Sequence, residues 1–207
     1  MLKVRRLNIP DVILIGSDIF YDQRGLLSEF YRYSLFKDLG INKPFLQFNH
    51  SKSKRAVLRG LHYQLIPKSQ AKLIKVVTGK IYDVVVDLRK GSPFYGKWEG
   101  VYLDSNSEGI YIPEGFAHGF CTLSDEVDVI YCLTEYFDPL YERGIIWNDP
   151  ILNIDWPIKE PVLSSKDANL PLFKDAESNF TYNLHKERSE YGREKNINYG
   201  NQWTVSQ

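Results

Sequence analysis

Between Leu26 and Phe137 the chain is cut into short runs of β-branched and aromatic residues, each closed by a cluster of Gly, Pro, Asn or Ser. The runs are Leu26 to Arg32, Phe45 to His50, Val57 to Tyr63, Lys72 to Val77, Ile81 to Leu88, Trp98 to Leu103, Ile110 to Ile112, Phe120 to Leu123 and Val127 to Phe137. Runs this short, bounded by turn residues, read as strands, and their succession predicts an all-β sandwich or barrel. An aromatic content of 14% suits pleated surfaces. Thr78-Gly79-Lys80 reads as a tight hairpin between two runs. Helices are predicted only around Ser34 to Leu39 and after Ser164. No period of the kind that builds solenoids or propellers is present.

From about Lys174 the strand-forming runs give way to Glu, Asn, Lys, Ser and Arg, with Tyr182, Tyr191, Tyr199 and Trp203 among them. The organisation predicted is one domain over residues 1–173 and a polar, aromatic-bearing tail over 174–207, which is either solvated or docked on the body or a second subunit.

Charge narrows the partners. Twenty-six Lys and Arg balance 26 Asp and Glu, so no net field favours a polyanion and nucleic-acid binding is not expected. A small anion held by a few placed cations remains open. No apolar run approaches the roughly 18 residues of a membrane span, and Val12 to Gly16 is too short for a signal segment. Cys121 and Cys132 form no CxxC pair, and the reading is a cytoplasmic protein.

The polar residues that interrupt the runs are the candidates for chemistry. Gln47, Asn49 and Ser51 share one face of a strand, either as a pocket wall or as a wet surface. In Val57-Leu58-Arg59-Gly60-Leu61-His62-Tyr63-Gln64, strict alternation sends Arg59 and His62 to opposite faces. Both can enter one pocket only if Gly60 marks a bulge. Parity does not decide which of Lys72 and Lys75 faces inward. Asp83 and Asp87 oppose the apolar face of Tyr82, Val84, Val86 and Leu88, and read as structural or solvent-facing. His118 follows a Pro-Glu-Gly turn that leads into a strand, and Tyr131 sits mid-strand where packing alone would explain it. Four histidines without an HxH pair argue against a metal site, and no GxGxxG, P-loop or GxSxG pattern occurs.

Several longer strings carry more. VLRGLHYQ (Val57 to Gln64), KLIKVVTGKIYDVVVDLRKGSPFYGKW (Lys72 to Trp98), YIPEGFAHGF (Tyr111 to Phe120), RGIIWNDP (Arg143 to Pro150) and LSSKD (Leu163 to Asp167) resemble the dTDP-4-dehydrorhamnose 3,5-epimerase family. The likeness runs in order from about Asp18 to Phe173. It implies a cupin-like jelly roll with a few short helices, a strand-exchanged homodimer, no metal or other cofactor, and a nucleotide-sugar substrate. The reaction implied is epimerisation at C3 and C5 of a nucleoside-diphospho-4-keto-6-deoxyhexose. Inversion at one centre, a GDP- or other nucleotide-linked sugar, the related 3,4-ketoisomerases and a non-catalytic sugar-nucleotide-binding cupin are the alternatives.

By the same resemblance His62 is the base, Asp167 its carboxylate partner, Tyr131 the acid across the ring and Lys72 the cation at O4. Arg59 would meet the diphosphate, and Gln47, Asn49, Ser51 and His118 would line the sugar and phosphate pocket. Arg24 and Glu29 would contact the nucleotide across the dimer, and Tyr136 would stack on the base. The chain departs from the family pattern at Cys132 and Phe48, both of opposite parity to their catalytic neighbours, and in the length of its tail.

Overall fold

The computed structural model describes residues 3–106 and 108–183. Tyr191, Tyr199 and Trp203 of the predicted tail lie outside the described residues. Thirteen strands, one short α-helix and two single-turn 3-10 helices are formed among those described: β1 (Lys3–Arg6), β2 (Ile13–Gly16), β3 (Ile19–Asp22), β4 (Gly25–Ser28), α1 (Tyr33–Asp38), β5 (Gln47–Lys54), β6 (Leu58–Gln64), β7 (Lys72–Thr78), β8 (Lys80–Asp87), β9 (Trp98–Asp104), β10 (Gly109–Ile112), β11 (Phe116–Thr122), β12 (Glu126–Leu133) and β13 (Glu142–Gly144), with the 3-10 turns at Asp167–Asn169 and Phe173–Asp175, after Ser164 as predicted. No helix among them is long and apolar enough to cross a membrane.

The strands make two antiparallel sheets packed face to face, the all-β sandwich predicted from the run spacing. One sheet is ordered β1-β2-β10-β7-β12-β5 and the other β13-β6-β11-β8-β9, while β3 and β4 pair only with each other. Between the sheets lies the main core: Ile74, Val76, Ile110, Ile112 and Val129 from one, Ile81, Val85, Phe116 and Phe120 from the other. Both outer faces are also covered. Phe36 of α1, Ile41 and Phe45 pack on Leu73, Tyr111 and Cys132. The loops after β13 bring Ile145, Leu152, Trp156 and Phe180 onto Leu61, Tyr82, Val84 and Cys121. The middle strands therefore have no wet side.

The packing of the sheets settles one open reading, in favour of the structural alternative for two aspartates, and corrects one expectation. Asp83 and Asp87 do not face solvent: they point into the sandwich and are wholly buried. The Thr78-Gly79-Lys80 junction is not a hairpin either, because β7 and β8 belong to different sheets. Gly79 (φ +81°) turns the chain across the sandwich, where a Cβ would lie 2.4 Å from the Glu126 carbonyl oxygen. The Leu26 to Arg32 run is a strand only to Ser28, after which Phe30 and Tyr31 pack beneath α1. Cys132 is buried in that outer cluster, with its side chain directed away from the neighbours of Tyr131.

The chain beyond Lys174 stays on the body as far as it is described. Phe180 is buried, Thr181 bridges to Lys90, and the Arg89 guanidinium lies 5.0 Å from the Tyr182 ring centroid.

Candidate active site

A cleft of about 660 Å³ opens at one end of the sandwich, with walls from both sheets. One wall is built by β5, β7 and β12. On β5 the odd-numbered residues Gln47, Asn49 and Ser51 are half-buried while Phe48, His50 and Lys52 are exposed, so the predicted face is the inner one. Gln47 and Asn49 line the cleft, joined through Gln47 Nε2 and Asn49 Oδ1 at 3.2 Å. On β7 it is Lys72, with Ile74 and Val76, that turns inward; Lys75 instead donates to the Ser105 carbonyl at the surface. Tyr131 of β12 stands beside Asn49 in register and faces the same space.

The opposite wall comes from β6 and β11, and here the glycine sets the geometry. Opposite β11 the register slips between His118↔His62 and Phe120↔Arg59, so β6 carries one extra residue there. Gly60 (φ +123°) occupies the slip, and a Cβ on it would come within 2.5 Å of the Gly119 Cα. The bulge brings Arg59 and His62 to the same cleft, which a regular strand could not do.

His62 is tied down from behind. Its Nε2 bonds Asp167 Oδ1 at 2.6 Å, and the Asp167 amide in turn donates to Ser164 Oγ at 3.1 Å. Burial works against an ionised Asp167, but its hydrogen bond and charge contact with His62, helped by Ser164 and Lys166, prevail, and its pKa lies below the ordinary carboxylate value. Lys72 is buried, and its Nζ donates to the His62 carbonyl at 3.1 Å. Burial lowers its pKa to about 8, with the charges of Asp83 and Glu142 holding it from falling further. His118 also lines the cleft and bonds Asp83 Oδ2 through Nε2 at 2.8 Å. Among the described residues no group of three or more His, Cys, Asp or Glu gathers to hold a metal ion.

Four predicted site residues lie outside this cleft. Arg24 is at the β3–β4 hairpin, paired with Asp22. Glu29 pairs with Arg32 beside a different hollow. Tyr136 is exposed next to Phe137, which does line the cleft. Ser51 sits deeper on the inner face, its hydroxyl buried without a hydrogen-bond partner. Conversely, Glu142 and Lys166 line the cleft and pair with each other, and neither was singled out from sequence. Lys166 adjoins Asp167 in the LSSKD string, the one signal that could have found it.

A histidine–carboxylate pair on one wall, a tyrosine on the other and a buried cation between them define a class of site: one that moves protons on a carbonyl-bearing substrate without needing a strong nucleophile. Comparison with known proteins narrows the class. The family model described as dTDP-4-dehydrorhamnose 3,5-epimerase matches residues 6–175. A dTDP-4-dehydrorhamnose 3,5-epimerase of Shigella flexneri is 47% identical over 178 residues, covering 85% of this chain and 98% of that protein. The crystal structure of dTDP-6-deoxy-D-glucose-3,5-epimerase from Legionella pneumophila, in complex with dTDP-4-keto-L-rhamnose, superposes with a TM-score of 0.81 at 42% identity, covering 84% of this chain and 94% of that one. A 3'-monoepimerase from Streptomyces bikiniensis in complex with dTDP-quinovose shares the fold at 36% identity, with a TM-score of 0.76 and coverage of 81% and 86%.

The chain belongs to the dTDP-4-dehydrorhamnose 3,5-epimerase family. It is an isomerase with the 3,5-epimerase activity of that family.

Proposed function

We propose that the reaction, dTDP-4-dehydro-6-deoxy-D-glucose to dTDP-4-dehydro-L-rhamnose, runs through an enolate with His62 as base, Tyr131 as acid and Lys72 at the ketone oxygen. The observation that carries this reading is the entry of His62 and Tyr131 from opposite sheets into one cleft, with Asp167 already engaging His62 Nε2. That engagement leaves Nδ1 as the lone pair free to take a proton. Hydrogens at C3 and C5 are acidified by the C4 ketone. Nδ1 of His62 takes one of them, the C–H electrons move into the ring and onto O4, and the Lys72 ammonium meets the developing charge. The Tyr131 hydroxyl then returns a proton to the same carbon from the opposite face, and the centre is inverted. Protons alone are exchanged, so the scheme calls for no redox cofactor or metal.

Arg59, whose Nε donates to Ser53 Oγ at 3.2 Å, offers its remaining guanidinium donors to the diphosphate. Gln47, Asn49 and His118 line the sugar and phosphate path, with Ser51 behind them and Tyr136 at the rim to stack on the base. Arg24 and Glu29 reach nucleotide only in a homodimer, where the β3–β4 hairpin of one subunit crosses to its partner. Supporting this, β3 and β4 pair only with each other and leave large apolar side chains exposed on both faces of the hairpin, Phe20 and Leu27 on one and Tyr21 and Leu26 on the other. We place the catalytic domain at residues 1–173 and the protein in the cytoplasm; of the tail from 174, the described part is held on the body through Phe180 and Tyr182.

Tyr131→Phe tests the division of labour. With the base intact and the acid gone, deuterium from heavy water is expected to enter the substrate while inverted product fails to accumulate. Product at a near-normal rate would take the acid role from Tyr131.

A further inference from the structure

Asp83 is a fully buried group in this region that the mechanism leaves unused. It lies on the inward face of β8, wholly buried, behind the cleft and not in its lining. Its Oδ2 accepts from His118, while Oδ1 is buried with no hydrogen-bond partner. A carboxylate with an idle oxygen in an apolar interior is costly unless it answers a charge nearby. That charge is Lys72 on the facing sheet: burial opposes its ammonium form, and Asp83 is the foremost group that favours it, ahead of Glu142. The other ionisable groups turned toward Lys72 are His62 on β6, His118 on β11 and Tyr131 on β12, with Asp167 beyond His62.

The same carboxylate constrains His118. With Nε2–H given to Asp83, Nδ1 carries the lone pair and bonds nothing among the described residues. Burial pushes the ring below the ordinary histidine value; Asp83 opposes this, and the charges of Lys72 and His62 add to it. A neutral ring held this way round accepts a hydrogen bond from a hydroxyl and cannot donate one to a carbonyl.

We propose that Asp83 is a positioning residue: from behind the cleft it fixes His118 with Nδ1 turned to a substrate hydroxyl and supplies the buried negative charge against which the Lys72 ammonium is held. This role rests on the assignment of Lys72 to the ketone oxygen. A lysine that works as an ammonium loses its function as pH rises through its folded pKa, so the alkaline limb of kcat/KM is expected near pH 8.

The test is the pH profile of Asp83→Asn. Its alkaline limb should move to lower pH by about one pH unit, while the acidic limb stays in place. A rate lowered equally at every pH, with both limbs unmoved, would make Asp83 merely structural and overturn the proposal. Long-range proton–nitrogen spectra of the ligand-free enzyme should show His118 protonated at Nε2, and the opposite tautomer would overturn its half of the role. If Asp83→Asn fails to fold, the wild-type Asp83 carboxyl carbon should report a titration near pH 8 that disappears in Lys72→Met; a flat response overturns the coupling. These spectra need no turnover. A wild-type protein that exchanges no substrate hydrogen at any pH would instead overturn the reaction that Asp83 is said to serve.

Discussion

Two histidine–carboxylate pairs stand side by side in one sheet, and the contrast between them explains how the cleft divides its work. His62 and His118 are directly opposite each other across β6 and β11, and each commits Nε2 to an aspartate. They differ in what surrounds them. The His62 side chain is 28% exposed and its partner comes from a turn near the end of the domain; the His118 side chain is 8% exposed and its partner is a core residue of the adjacent strand. An open imidazole with a free lone pair can take a proton and pass it on. A sealed one, disfavoured as a cation, can only hold its orientation. Residue type is shared, and burial assigns the role.

The sharpest way to break this comparison is to remove each ring in turn. His62→Asn should lower turnover by at least about 10³-fold, as loss of a general base does, whereas His118→Gln should leave solvent exchange detectable and act mainly on KM. Equal losses from the two would erase the distinction. Next in size, Lys72→Met should cost about 10²-fold in kcat with a smaller change in KM, because a contact to the enolate strengthens in the transition state; an unchanged kcat would move the oxyanion role elsewhere.

A smaller effect, about tenfold on KM, is expected from Arg24→Ala. Mixing that variant with His62→Asn should restore activity if the hairpin serves the partner's cleft, and no recovery in a mixed dimer would confine Arg24 to its own subunit. The smallest effect concerns stability. The Asp167 pKa is lowered in the fold, so its contribution is present above its unfolded value and is lost as pH falls through the folded one. Asp167→Asn should therefore lower the melting temperature at pH 7 by more than at pH 2 to 3. A loss that is equal at both would uncouple the pair from folding.

How much of this could be read in the chain follows from what each signal depends on. The central strands were legible because β-branched runs between turn residues persist whatever packs on them. The bulge at Gly60 was legible from the conflict between Arg59 and His62. Strands β1, β2, β3 and β13 were not: each is only three or four residues long, and Lys-Val-Arg-Arg and Ile-Phe-Tyr-Asp lack an alternating pattern as well. The Gly79 corner reads locally as a hairpin, and only the second sheet's claim on β8 makes it a crossover. For Asp83 the structural and solvent-facing readings stayed open, because alternation separates faces without saying that both are buried. The pairing of His62 with Asp167 spans 105 positions, and no local rule predicts it. It came from resemblance.

The most direct test of the central claim is deuterium incorporation from heavy water into dTDP-4-dehydro-6-deoxy-D-glucose, read at C3 and C5 by NMR, with His62→Asn as control. Label at both carbons in the wild-type protein and at neither in the variant is the result this account predicts. Label at one carbon only, or label that survives the loss of His62, would contradict it.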